Sequence, residues 1–249
     1  MAFRLLLGLT LMAAAHTAKS ADPPKTGFVD KTFKNADGTE SPYVVFVPHA
    51  YDGSKPVPVI LFLHGAGESK GGQLKPVEQG IGNHLRGRRE KSFPAIVVIP
   101  QAEHLRTPVL KRWQAGSPDS DRALAMLDAV QKEYKTDPNR VYLTGLSMGG
   151  FGTWSLAAAH PEKWAAVVPI CGGGDPAKAD ALKDLPCWAW HGDKDGAVKV
   201  EQSRQMVDAI KKAGGNPRYT ELAWIGHNSW DAAYASDDLY AWLFAQKKK

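Results

Sequence analysis

Cysteine is scarce in this chain: 249 residues contain two, Cys171 and Cys187. A small disulfide-stapled scaffold is therefore excluded, and the fold has to be held by an apolar core. No group of cysteines and histidines has the spacing of a metal site. The glycine-rich stretch Gly172 to Gly174 lacks the surroundings of a nucleotide-binding fingerprint, so no metal and no other cofactor is expected. Charge of one sign is not in excess either, with 31 Lys and Arg against 26 Asp and Glu and a formal net charge of +5. The one basic run, Lys247-Lys248-Lys249, reads as a solvated chain end, and no nucleic-acid partner is expected. Beyond the N-terminus no apolar run approaches the roughly 20 residues a membrane span needs. Internal repeats, low-complexity blocks and linkers are missing too.

The N-terminus is a different kind of sequence. Met1 to Arg4 carries one positive charge, Leu5 to Ala15 is apolar, and Ala18 and Ser20 are small residues placed for cleavage before Ala21. This pattern predicts a secretory signal peptide over residues 1–20 and a single domain over 21–249. Cleavage removes Arg4 and Lys19 and lowers the formal charge from +5 to +3. Export invites a Cys171–Cys187 bridge, but the two residues sit at opposite ends of adjacent apolar runs. If those runs are neighbouring parallel strands, the cysteines lie about 15 Å apart, beyond the roughly 7 Å a disulfide spans. Free thiols are expected.

Apolar runs and helical periods alternate along the rest. Gly27 to Phe33 and Ser41 to Val47 flank the turn Asn35-Ala36-Asp37-Gly38 and read as an antiparallel hairpin. Val57 to Leu63 and Pro94 to Pro100 are apolar throughout, as in strands covered on both faces. Further strands are expected around Arg140 to Thr144, Trp164 to Ile170, Cys187 to His191 and Arg218 to Ala223. Helices are expected at Asp119 to Tyr134, Phe151 to Ala159, Val200 to Ala213 and Ser229 to Phe244, with a short one at Pro176 to Leu182. The fold class is α/β, with about eight strands in a mostly parallel sheet. Only Ser69 to Ser92 and Gln101 to Pro118 are unassigned, too little for a large lid, so an open, shallow site is expected.

The chain is organised around Gly145-Leu146-Ser147-Met148-Gly149. A strand precedes it and a helical stretch follows, the context of a nucleophile elbow. Glycines there let the backbone turn sharply enough to raise a serine hydroxyl above the sheet. A serine needs a base and the base an orienting acid, both on loops after later strands. Of eight histidines, only His227 falls between the last strand and the final helix, and it is the expected base. His64 and His191 end buried strands and read as packing or turn residues. The acid lies in His191-Gly192-Asp193-Lys194-Asp195, where Asp195 reaches farther across than Asp193 and is favoured. The amide of Met148 should be one oxyanion donor, and that of Ala66, or next to it Gly67, the other. Trp113 and Trp230 are candidates for lining the substrate pocket, Trp154 for the core.

These motifs, with Leu63-His64-Gly65-Ala66-Gly67-Glu68 and Asn228-Ser229-Trp230-Asp231, resemble the α/β-hydrolase superfamily. Within it the chain is similar to the phospholipase/carboxylesterase and dienelactone-hydrolase-like branch. It looks most like secreted esterases labelled predicted peptidase or prolyl-oligopeptidase-like, relatives of feruloyl esterases and polyhydroxybutyrate depolymerases. The resemblance runs from about Tyr43 to the C-terminus. It implies Ser147, Asp195 and His227 as a triad and strengthens Asp195 over Asp193. The expected function is cleavage of carboxylic esters, small or polymer-linked, through an acyl-enzyme. A serine peptidase and a catalytically inactive binding protein are the alternatives.

Overall fold

A computed structural model describes residues 24–248. The expected signal peptide lies outside the described residues, as does Lys249. Among the described residues eight strands form one sheet: β1 (Gly27–Lys34), β2 (Glu40–Val47), β3 (Val57–Leu63), β4 (Ile96–Pro100), β5 (Thr136–Leu146), β6 (Ala166–Ile170), β7 (Trp188–Gly192) and β8 (Arg218–Leu222). Their order across the sheet is β1-β2-β4-β3-β5-β6-β7-β8. The hairpin β1–β2 and the β2–β4 pair are antiparallel, and every later pairing is parallel. Hairpin and strand runs therefore fold as their sequence patterns predict.

Among the described residues six α-helices cover the sheet: α1 (Gly80–His84), α2 (Pro118–Glu133), α3 (Met148–Ala159), α4 (Glu201–Lys212), α5 (Trp230–Ala235) and α6 (Asp237–Ala245). Successive strand residues face opposite sides, and the core divides accordingly. Val59, Leu61, Leu63 and Leu143 pack with Met126, Leu127, Trp154, Met206 and Ile210 of α2, α3 and α4. Ile60, Phe62, Tyr142 and Val168 pack with Ile81, Tyr234, Leu239 and Leu243 of α1, α5 and α6. Both faces are covered, which is why the central strands read as unbroken apolar runs. Cys171 and Cys187 are both free and buried.

One expectation needs correcting. The single helix foreseen from Ser229 to Phe244 is two helices, because Ser236 is extended (φ −70°, ψ 121°) and its side chain accepts a hydrogen bond from Leu239 N–H. Ser236-Asp237-Asp238 is a helix-start signal, with a capping hydroxyl and acids in the first turn. Its position inside a longer apolar period hid it.

Two strand pairings build the site. Leu63 pairs with Gly145, which brings the loop after β3 beside the turn after β5. Gly192 pairs with Leu222, which brings the loop after β7 beside the loop after β8. All four loops leave the carboxyl ends of parallel strands, where open α/β sheets place their ligands.

Candidate active site

Ser147 stands between β5 and α3 with φ 53° and ψ −117°, a conformation costly for a residue with a side chain. Its N–H donates to Ile170 O over 2.9 Å. The flanking glycines are required by contact. A Cβ at Gly149 would lie 1.9 Å from Leu63 O, and one at Gly145 would lie 2.4 Å from Gly149 O. β5, α3 and the end of β3 thus meet backbone to backbone, and the hydroxyl is left partly exposed at the apex.

His227 reaches this hydroxyl: its Nε2 is 2.9 Å from Ser147 Oγ, and its Nδ1 is 2.7 Å from Asp195 Oδ2. A carboxylate can only accept, so Nδ1 carries the proton and the Nε2 lone pair faces the serine. Burial pushes the Asp195 carboxyl up, but hydrogen bonds from His227 and from the amides of Val198 and Ala197 outweigh it and hold it below its ordinary value. Asp193 takes another part. Its Oδ1 accepts from Trp224 N–H over 2.7 Å, so it clamps the β7 and β8 loops together.

Sequence reasoning missed His191. Expected as a packing or turn residue, it is fully buried, and its Nε2 is 3.1 Å from the same Asp195 Oδ2 and 2.9 Å from Val198 O. Its Nδ1 lies 2.8 Å from Ser203 Oγ on α4, which in turn donates to Gly172 O. One carboxylate oxygen is thus shared by two imidazoles. The only sequence signal is the spacing, a histidine four residues before the acid.

The loop after β3 is held as firmly. His64 is fully buried. Its Nδ1 lies 2.6 Å from Gly65 O, and its Nε2 accepts from Ala102 N–H. In a planar trans peptide the N–H points opposite to the C=O, so holding Gly65 O turns Ala66 N–H outward. Ala66 and Met148 each begin a helical turn, so their amides have no acceptor within it. A Cβ at Gly65 would lie 3.8 Å from Ser147 Cβ, which places this loop directly against the serine. Ala66 and Gly67 are exposed. Trp113 does not line a pocket: it is fully buried, and its indole N–H donates to His64 O over 3.1 Å. Its ring was needed behind the loop, a demand that local sequence does not display. Trp154 is in the core, as expected. Trp230 is half-buried and sets its ring edge-on to His227, with centroids 5.4 Å apart.

Burial lowers the His64 pKa to about 4. The folded chain then resists a proton that the unfolded chain accepts near its ordinary value of about 6.5. Stability is accordingly complete above pH 6.5 and declines as pH falls toward 4, by up to about 3 kcal/mol from this group. The check is the urea midpoint between pH 7 and pH 4.5. It should fall in the native chain and fall less in His64→Gln.

Cys171, Asp195 and His227 offer ligand atoms within 4.8 Å of one another. As a donor set they suit a metal poorly. Burial pushes the Cys171 thiol up to about 12, a protonated thiol is a weak ligand, and the other two groups bond each other.

A sequence model of the Esterase family matches residues 35–222. The chain belongs to the Esterase family. Among its relatives, "Probable feruloyl esterase C" of Aspergillus terreus is 27% identical over 218 residues, covering 85% of this esterase and 76% of the relative. "Feruloyl esterase D" of Neurospora crassa is 26% identical over 230 residues, with the same two coverages of 85% and 76%. A solved structure described as a thermostable esterase has a TM-score of 0.76 at 33% identity, covering 88% of this chain but 63% of that one. S-formylglutathione hydrolase of Staphylococcus aureus shares the fold, with a TM-score of 0.68 at 15% identity over 90% of this chain and all of its own. The fold is the α/β-hydrolase fold, and the protein is a carboxylic ester hydrolase. Among the described residues no helix is long and apolar enough to cross a membrane.

Proposed function

We propose that Ser147, His227 and Asp195 are the catalytic triad of a secreted serine esterase acting on short-chain, aromatic or polymer-linked esters. The observation that carries the reading is the unbroken contact from Ser147 Oγ through both nitrogens of His227 to Asp195 Oδ2. Ser147 attacks the ester carbonyl while His227 Nε2 takes its proton. The amides of Met148 and Ala66 stabilise the tetrahedral oxyanion, and the positive end of α3 adds to them. His227 returns the proton to the leaving alcohol, and Asp195 stabilises the imidazolium formed in between. Water then enters by the same route and releases the acid.

Polymer-linked aromatic esters are favoured because two relatives named feruloyl esterase align with most of the chain. Ala66 and Gly67 lie exposed beside the serine, which suits an ester on a large alcohol better than a long acyl chain. Export is inferred from the pattern of residues 1–20, leaving 21–249 as one domain that acts without metal, cofactor, nucleic acid or membrane. The test is a panel of p-nitrophenyl esters from acetate to palmitate, methyl ferulate and a peptide anilide, with fluorophosphonate labelling of the serine. Turnover of short or feruloyl esters by a labelled protein is the expected result. Cleavage of the anilide alone would make the protein a peptidase, and a folded protein that neither turns over ester nor takes up label would overturn the assignment.

A further inference from the structure

Trp224 is the most exposed large apolar residue among those described, at 82% of its full accessibility. It is also one of three non-glycine residues with positive φ among those described, with φ 63°. An aromatic residue gains nothing from either state, so something must hold it there. Asp193 accepts its N–H over 2.7 Å. Asp193 N–H donates to Leu222 O, and Lys194 N–H to Ile225 O over 2.9 Å. The Lys194 ammonium sits over the indole, 5.0 Å from its centroid, and 3.7 Å from Asp193 Oδ2. The ring is therefore a presented surface, fixed by the two loops that carry Asp195 and His227.

Its place says which part of a substrate it meets. Trp224 precedes His227 by three residues, so their Cα atoms are at most about 11 Å apart. In the proposed mechanism His227 delivers its proton to the leaving oxygen, so the alcohol lies on the His227 side of the serine. A flat, solvated platform on that side suits a ring whose own far face stays wet, which describes a pyranose of a chain and not an acyl group. We propose that Trp224, steadied by Lys194 and Asp193, is a sugar-stacking subsite for the polysaccharide that bears the ester. This rests on the esterase reading above and adds the alcohol to it.

The test separates the two. Ser147→Ala is run by affinity electrophoresis in gels containing soluble arabinoxylan, alone and with Trp224→Gly or Trp224→Tyr. Glycine removes the ring and is at ease at positive φ, so the loop keeps its path, and tyrosine keeps a flat face. Retardation by the polymer should weaken about tenfold with glycine, the scale of one aromatic stacking contact, and return in large part with tyrosine. In chains that keep Ser147, Trp224→Gly should lower kcat/KM for feruloylated arabinoxylan oligosaccharide about tenfold relative to methyl ferulate. Equal losses on both esters would put the ring on the acyl side or make it a mere support of the loop, and would overturn the subsite. So would equal retardation with and without the ring, or none at all. Failure of the esterase reading would show separately, as turnover that survives Ser147→Ala.

Discussion

Ser147→Ala is expected to abolish ester turnover to within the assay background, a fall in kcat of about 10⁴ to 10⁶ with KM little changed. Every step of the proposed chemistry passes through Oγ, the hydroxyl that faces His227 Nε2. His227→Ala should cost about as much, and the double variant scarcely more, because removing either partner ends the same reaction. Steady-state assay on methyl ferulate or p-nitrophenyl acetate, with fluorophosphonate labelling beside it, reads all three. A Ser147→Ala protein keeping more than a hundredth of the native rate would disprove the assignment.

Asp195→Asn should lower kcat by about 10³ to 10⁴ while the fold survives. Asp195 Oδ2 faces His227 Nδ1 and His191 Nε2 at once. An amide nitrogen in that place would donate to His227 Nδ1 and force the proton onto Nε2, where it faces the serine and can accept nothing. Asp193→Asn is the control that distinguishes the two acids. Its role is the clamp on Trp224 N–H, and an amide oxygen can still accept there, so its loss should stay below about tenfold. If Asp193→Asn proved the more damaging, the acid would have been misassigned.

The sequence made the parallel core, the elbow and the two late loops legible because each rests on a local pattern. Val57–Leu63 and Ile96–Pro100 are buried on both faces and say so in every residue. Asp195 stood apart from Asp193 by two residues of loop and a family likeness, and the strand pairing Gly192 to Leu222 shows why that reach succeeds. What stayed hidden depends on contacts between distant segments. His191 looks like any strand-end histidine until Ser203 of α4 and Asp195 close around it. Trp113 has no local sign that 49 residues upstream a carbonyl awaits its N–H. Trp224 gave no periodic signal, since its meaning lies in exposure and backbone angle.

The backbone at Ser147 carries a conflict of interest for the chain. With φ 53° and ψ −117°, it holds its side chain in a region where glycine alone is comfortable, at a cost of order 1 to 3 kcal/mol. In the proposed mechanism, drift toward greater robustness therefore leads away from catalysis at this one position, since a glycine there would relax the turn and remove the nucleophile. A descendant freed from the substrate would be expected to lose its serine before it lost its fold.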